Sequence, residues 1–266
     1  MNESRVLRDI VFARVDDKDL LLDLYLPEGA AGPLPLIVWV HGGGWQAGSK
    51  ENARAARMTQ RGYAVASISY RLSHEAIFPA QIHDCKAAVR WLRANAQRYN
   101  LDPNRFGAWG PSAGGHLVAL LGTSGGVTEL EGDEGNLSYS SRVQAVCDYF
   151  GPTDLLAMKE FPCRIDRDDP NCPEARLIGG GLAENPDKVR LADPITYVTP
   201  DDPPFLIVHG DQDDVVPFNQ SDLLYQALKK AGVVVTFHTV EGAGHGFGER
   251  EPAELVNAFF DRHLKG

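Results

Sequence analysis

An α/β domain with about eight mostly parallel strands and helices on both faces is the fold class that these 266 residues predict. Three observations point there. Short, continuously apolar runs such as Leu36–Val40 have strand length and lack alternation, as expected of parallel strands covered on both faces. Segments with apolar residues spaced three and four apart lie between those runs, and strand alternating with helix implies crossover connections and a parallel sheet. Finally, glycine-rich turns follow directly on several of the runs, where open sheets of this class carry their ligand sites.

Taken in order, residues 6–15 and 20–26 read as two strands. Leu20, Leu22, Leu24 and Leu26 keep the period of two of a half-buried strand, and Asp16-Asp17-Lys18-Asp19 supplies a hairpin turn. The opening hairpin adds antiparallel strands at one edge. Core strands follow at Leu36–Val40, Ala64–Tyr70, Arg105–Trp109, Val143–Phe150 and Phe205–His209, with a further strand at Val233–Val240. Ile82, Cys85, Val89, Leu92 and Ala96 mark one face of a helix within residues 80–98, and residues 50–61, 113–123, 218–231 and 252–264 are further helical segments. Residues 151–204 break the alternation. They hold 9 of the 17 prolines and no clear strand, so the chain reads as one domain, 1–266, with a small cap inserted at about 151–200.

Composition narrows the function. Lys and Arg total 26 against 36 Asp and Glu, a net charge of -10, which disfavours nucleic acid or an anionic membrane as partner. No apolar run approaches membrane-span length, and MNESRVLRDI has no signal-like apolar core, so the chain as written is expected to be cytoplasmic, with secretion after loss of a signal left open. Cys85, Cys147, Cys163 and Cys172 form no CxxC pair. Cys85 and Cys147 read as core, while Cys163 and Cys172 flank a polar loop and could bridge it by a disulfide. His74, His83, His238 and His263 lack ligand spacing, and Asp166, Asp168, Asp169 and Asn171 lack an EF-hand frame, so no metal is expected.

The chemistry-bearing residues cluster after strands. Gly110-Pro111-Ser112-Ala113-Gly114 lies between a strand and a helix, the context of a nucleophile elbow. A serine hydroxyl is a weak nucleophile and needs a tight turn and a base; the alternative is a glycine-rich turn of no chemical consequence. His41-Gly42-Gly43-Gly44-Trp45 follows Leu36–Val40, and its glycines allow backbone amides to converge on a developing oxyanion. Downstream, Asp211, Asp213 and Asp214 compete for the role of acid, with Asp213 ahead of Asp214 and Asp211; His245, between Gly244 and Gly246, is the base. His116, at the start of the helix after the elbow, reads as packing or capping.

Together with Asp23-Leu24-Tyr25-Leu26-Pro27, Ser69-Tyr70-Arg71-Leu72, Phe78-Pro79-Ala80-Gln81 and His209–Pro217, these motifs resemble, over nearly the whole chain, the α/β-hydrolase fold in its hormone-sensitive-lipase-like and bacterial feruloyl and acetyl-xylan esterase-like branch. The resemblance implies Ser112 as nucleophile, His245 as general base and acid, and Asp213, aligned with the branch's H-G-x-x-D-x-x-V-P loop, as the orienting carboxylate. Asp214 stands where the branch often has proline. The oxyanion donors carry over to the amides of Gly43, Gly44 and Ala113, with Trp45 replacing one glycine if the loop is rotated by one residue.

The expected activity is that of a serine carboxylic-ester hydrolase (EC 3.1.1 type) without cofactor, acting on short acyl or aryl esters, of acetyl or feruloyl type, that are small or polysaccharide-linked. Trp45, Phe78, Phe150 and Phe247 are candidate pocket walls. An amide-cleaving hydrolase on the same triad is the alternative, and a binding protein on a non-catalytic hydrolase fold a remote third. Residues 125–202 hold 16 acidic and 7 basic side chains, nearly all of the charge excess. If that segment borders the cleft, anionic esters are expected to react less well than neutral ones.

Overall fold

A computed structural model describes residues 4–30 and 32–266; the first three residues of the N-terminal stretch read above for a leader lie outside it. The strands are β1 (Ser4–Val15), β2 (Lys18–Pro27), β3 (Leu34–Val40), β4 (Ala64–Ile68), β5 (Leu101–Pro111), β6 (Ala145–Tyr149), β7 (Phe205–Gly210) and β8 (Val235–Val240). They form one eight-stranded sheet in the order β1-β2-β4-β3-β5-β6-β7-β8. β2 pairs antiparallel with β1 and β4, and all other pairs are parallel. The α-helices are α1 (Ala80–Ala94), α2 (Ala113–Thr123), α3 (Pro173–Ile178), α4 (Pro186–Ala192), α5 (Asn219–Ala231) and α6 (Ala253–Leu264). This is the α/β-hydrolase fold.

The strand period of two sorts the core into two layers. Leu36, Val38 and Val40 of β3 join the cluster under α1, α2 and α5, whereas Ile37 and Trp39 join the opposite one with Met58, Val256 and Phe260. Trp39 and Trp109 meet edge to face in that second layer, their centroids 5.2 Å apart. The chain leaves β3 for β4 across the α6 face, then returns over β3 to β5 across the α1 face. Strand order therefore reverses between β3 and β5, and a crevice opens at their carboxyl ends.

Two elements differ from the sequence reading. The hairpin turn is only Asp16-Asp17, because Lys18 and Asp19 already pair with Val15 and Arg14; Asp16 sits at φ 50, which a short polar side chain tolerates. Residues 50–61 give only a 3₁₀ helix, Arg54–Arg61. Lys50 accounts for its later start. Its N–H donates to Ser69 Oγ (3.2 Å), its carbonyl accepts from Ser67 Oγ (2.7 Å), and its ammonium meets Asp23 at 2.9 Å, so its backbone is committed to β4 and unavailable to a helix. Cys163 and Cys172 are not bridged. Cys172 caps α3 by accepting from the Ala175 N–H at 3.4 Å, and the Cys163 thiol donates to the Ile165 carbonyl at 3.1 Å.

Asp148, fully buried on β6, accepts from the Gly151 N–H at 2.9 Å through Oδ1, and its Oδ2 has no partner among the described residues. Burial pushes its carboxyl up to about 7. A raised carboxylate holds its proton in the folded chain where the unfolded chain releases it, so its stabilising effect is present at low pH and is lost as pH rises from about 4 through 7.

Two stability predictions follow from this packing. Asp148→Asn is expected to melt higher relative to the parent at pH 8 than at pH 5; a difference that shrinks with rising pH contradicts the assignment, and comparison with the parent cancels the histidines. Gly122→Ala gains about 1 kcal/mol of helix propensity in α2, but its Cβ would lie 2.5 Å from the Phe205 ring and 2.8 Å from Val146. Overpacking of about 1–3 kcal/mol should win, lowering Tm by several degrees, while Gly32→Ala, with nothing within 4 Å, should leave Tm unchanged.

Candidate active site

β5 ends at Pro111, and Ser112 stands between strand and helix at φ 55, ψ -122, a conformation that costs about 1–3 kcal/mol outside glycine. Surrounding packing holds it there. The Ser112 N–H donates to the Tyr149 carbonyl (2.8 Å), and the first bond of α2 runs from the His116 N–H to the Ser112 carbonyl (2.9 Å). A Cβ on Gly114 would lie 2.1 Å from the Val40 carbonyl oxygen, and one on Gly110 would lie 2.6 Å from the same atom, so only glycine lets elbow and β3 approach this closely. The N–H groups of Ala113, Gly114 and Gly115 open the helix and have no partner within it, which leaves a positive end beside Ser112.

The loops after β7 and β8 bring two further groups to that point. His245 Nε2 lies 3.0 Å from Ser112 Oγ, and His245 Nδ1 lies 2.7 Å from Asp213 Oδ2. Asp213 Oδ1 accepts from the N–H groups of Val215 (2.8 Å) and Val216 (3.0 Å). Burial works to raise the Asp213 carboxyl, but hydrogen bonds from His209 and His245 outweigh it and hold it well below the usual carboxylate range. Of the competing aspartates, Asp211 accepts from the Gly242 N–H (2.7 Å) and shapes the β8 turn, while Asp214 is exposed, 3.8 Å from Arg164. Neither reaches His245.

Beside the elbow, Gly43 (φ 116), Gly44 (φ 59) and Trp45 (φ 57) occupy positive φ in succession. The Gly43 carbonyl accepts from the Gln46 and Ala47 N–H groups, both at 3.1 Å, and closes the loop. The amides of Gly43, Gly44, Trp45 and Ala113 have no acceptor among the described residues. His41 anchors the loop by stacking on Tyr70 at 4.3 Å, with the Tyr70 hydroxyl donating to the His41 carbonyl. The Trp45 indole donates to His116 Nδ1 (3.2 Å), and His116 Nε2–H donates to the Ala192 carbonyl (2.7 Å). Burial lowers His116 to about 4, so it is a neutral packing histidine that ties the glycine loop, α2 and the end of α4 together.

Ser112 and His245 line a cleft of about 710 Å³ with Gly42–Gly48, Phe150 and, from residues 151–200, Pro152, Ile165, Arg167, Pro173 and Glu174. A smaller cavity of about 160 Å³ adjoins it, walled by Trp39, Trp109, Tyr149, Phe150 and Phe247; both spaces share Arg54, Pro111, Phe150 and Gly246. Of the candidate pocket walls, Phe150 lines both. Trp45 borders the cleft, but its ring is buried on His116; Phe247 belongs to the smaller cavity; Phe78 lines neither, because it packs beside His116 with its N–H bonded to the Leu177 carbonyl.

The acidic segment does not make the cleft acidic. Among the described residues, the charges that the segment contributes to the cleft lining are Arg167 and Glu174, which pair at 3.3 Å, and Asp166, Asp168 and Asp169 lie in solvent-exposed turns. The expectation that these acids would disfavour anionic esters therefore loses its structural basis. Sequence reading also passed over two residues. His209 Nε2–H donates to Asp213 Oδ2 (3.2 Å) and to the Val216 carbonyl (3.0 Å), while Nδ1 accepts from Ser221 Oγ (2.7 Å). A histidine inside an apolar strand, four residues before Asp213, is the signal that could have found it. Arg54 carried no such signal.

Comparisons place this geometry among known proteins. The chain matches the BD-FAE family over residues 22–228. It is 38% identical to a truncated carbohydrate esterase from gut microbiota, with 99% of this chain and 97% of that one covered at a TM-score of 0.89. A thermophilic esterase of Thermogutta terrifontis, solved with propionate bound, is 30% identical over 98% of this chain and 94% of its own, with a TM-score of 0.79. Esterase LipC of Mycobacterium tuberculosis is 32% identical over 87% of this chain, which spans 58% of LipC. The chain thus covers a little over half the length of such curated relatives. With the strand order, the elbow and the family match in agreement, the chain belongs to the BD-FAE family of α/β-hydrolase-fold proteins.

Proposed function

We propose that the protein is a serine carboxylic-ester hydrolase acting on short acyl or aryl esters, of acetyl or feruloyl type, through an acyl-enzyme. The observation that carries this reading is the continuous line from Asp213 through His245 to Ser112, at 2.7 and 3.0 Å. Ser112 Oγ attacks the ester carbonyl while His245 Nε2 takes its proton. Asp213 holds the imidazole with Nδ1–H toward itself and stabilises the imidazolium. The amides of Gly43, Gly44 and Ala113 receive the oxyanion, a contribution of about 3–4 kcal/mol per donor in comparable sites. His245 then protonates the departing alcohol, and the acyl group remains on Ser112. Water, deprotonated by the same imidazole, releases the acid.

The aromatic-walled cavity beside Pro111 and Phe150 supports a small or planar acyl group, and the propionate found in the Thermogutta terrifontis esterase agrees with a short one. The open cleft, together with the likeness to a carbohydrate esterase, supports a saccharide-linked alcohol.

Ser112→Ala is expected to lower kcat on p-nitrophenyl acetate about 10⁴-fold or more and to abolish labelling by a fluorophosphonate probe. Asp213→Asn keeps the shape but presents an amide N–H to His245, and should lower kcat by about 10⁴ with little change in KM. Parent-like hydrolysis by either variant would overturn the proposal. A panel of acetate, butyrate, laurate, methyl ferulate and acetylated xylan tests the acyl reading, which predicts the lowest rate on laurate.

A further inference from the structure

The 3₁₀ helix Arg54–Arg61 carries three arginines, and two are engaged: Arg57 pairs with Glu251 at 3.2 Å, and Arg61 pairs with Asp261. Arg54 is exposed, and no carboxylate pairs with it among the described residues. It lines both the cleft that holds Ser112 and the aromatic cavity beside it, so it stands where the two spaces join. The other charges lining the cleft cancel, since Arg167 and Glu174 pair with each other at 3.3 Å, and the guanidinium of Arg167 also donates to the carbonyls of Ile165 and Val215. Glu251 lines the smaller cavity as well, but Arg57 pairs with it at 3.2 Å and the Tyr149 hydroxyl donates to it at 3.3 Å, so in a chain of net charge -10 Arg54 is the lining cation left without a carboxylate partner among the described residues.

We propose that Arg54 is an anion-binding subsite, and that the preferred substrates are esters whose acyl or alcohol part carries a carboxylate. This rests on the ester-hydrolase reading above and specifies its substrate class. A planar guanidinium binds a carboxylate through two parallel charge-assisted hydrogen bonds, which fixes orientation as well as position. At the junction it can take a carboxylate from either side of the scissile bond, on a dicarboxylic acyl group or on a uronic or aromatic acid alcohol. The overall negative charge repels such a substrate at a distance, but that field is screened beyond roughly 8 Å at physiological salt, whereas contact with Arg54 is not.

The test compares matched pairs. On the acyl side these are p-nitrophenyl hemisuccinate and p-nitrophenyl butyrate; on the alcohol side, 4-acetoxybenzoate and its methyl ester. Arg54→Ala should lower the anionic-to-neutral ratio of kcat/KM at least tenfold for one pair, which identifies the side, and Arg54→Lys should restore part of it. Arg61→Ala should leave the ratio as in the parent. Unchanged ratios in Arg54→Ala for both pairs overturn the assignment. A binding measurement separates this outcome from failure of the hydrolase reading. In the Ser112→Ala protein, benzoate should bind at least tenfold more tightly than in the Ser112→Ala/Arg54→Ala protein, with benzamide affected less. Equal losses for benzoate and benzamide, or none, reject the subsite whether or not the parent hydrolyses esters.

Discussion

A buried, ionised carboxylate is the constraint on which the site depends. Asp213 lies at the carboxyl end of the sheet, where removal from water costs several kcal/mol unless donors replace the lost solvation. Four do: the Val215 and Val216 amides on one oxygen, His209 and His245 on the other. Each donor fixes something else. The two amides set the turn after β7. His209, whose Nδ1 accepts from Ser221 on α5, ties the carboxylate to the helix behind it. With three donors already pinning Asp213, its fourth bond holds His245 in the single tautomer that leaves Nε2 free to accept from Ser112.

The Ser112 side of the site is governed by close approach. Gly110 and Gly114 let the end of β5 and the start of α2 press against the Val40 and His41 carbonyls, which places the glycine loop after β3 next to Ser112. The strain at Ser112 is held by bonds on both sides of the turn, from its N–H to Tyr149 and from the His116 N–H to its carbonyl. Sheet topology makes this economical. β3 and β5 are neighbours on either side of the reversal in strand order, so the glycine loop His41–Trp45 and Ser112 emerge side by side without any long excursion of the chain.

How much of this could be read in the sequence depends on the range of the interactions. Apolar runs covered on both faces, the elbow glycines and the H-G-G-G loop report local necessities, and the structure brings Ser112, Asp213 and His245 together as their order suggested. The motif residues Ser69–Leu72 and Phe78–Gln81 were legible only as resemblance; here Arg71 clasps Asp84 on α1, and Gln81 donates to the Arg71 carbonyl at 2.9 Å. What stayed hidden depends on contacts distant in sequence. Lys50 shortens a helix because it is anchored to β2 and β4, and Phe78 leaves the pocket because α3 and His116 claim it.

Charge shows the same limit most sharply. Counting placed nearly the whole excess in residues 125–202, yet a count carries no direction. Glu131 and Glu134 turn inward to Lys86, Arg90 and Arg71 and bind the segment to α1 and to the loop after β4. Asp166 and Asp169 accept from backbone N–H groups two residues ahead and stabilise turns at the surface. Of the segment's acids, Glu174 lines the cleft, where Arg167 pairs with it. Net charge thus governs the long-range field, which salt screens, whereas the polarity met by a bound ester is set by the few side chains lining the cleft. In this molecule the two differ, because the carboxylates lining both spaces, Glu174 and Glu251, are paired with Arg167 and Arg57, whereas Arg54, contributed by a different part of the chain, has no carboxylate partner among the described residues.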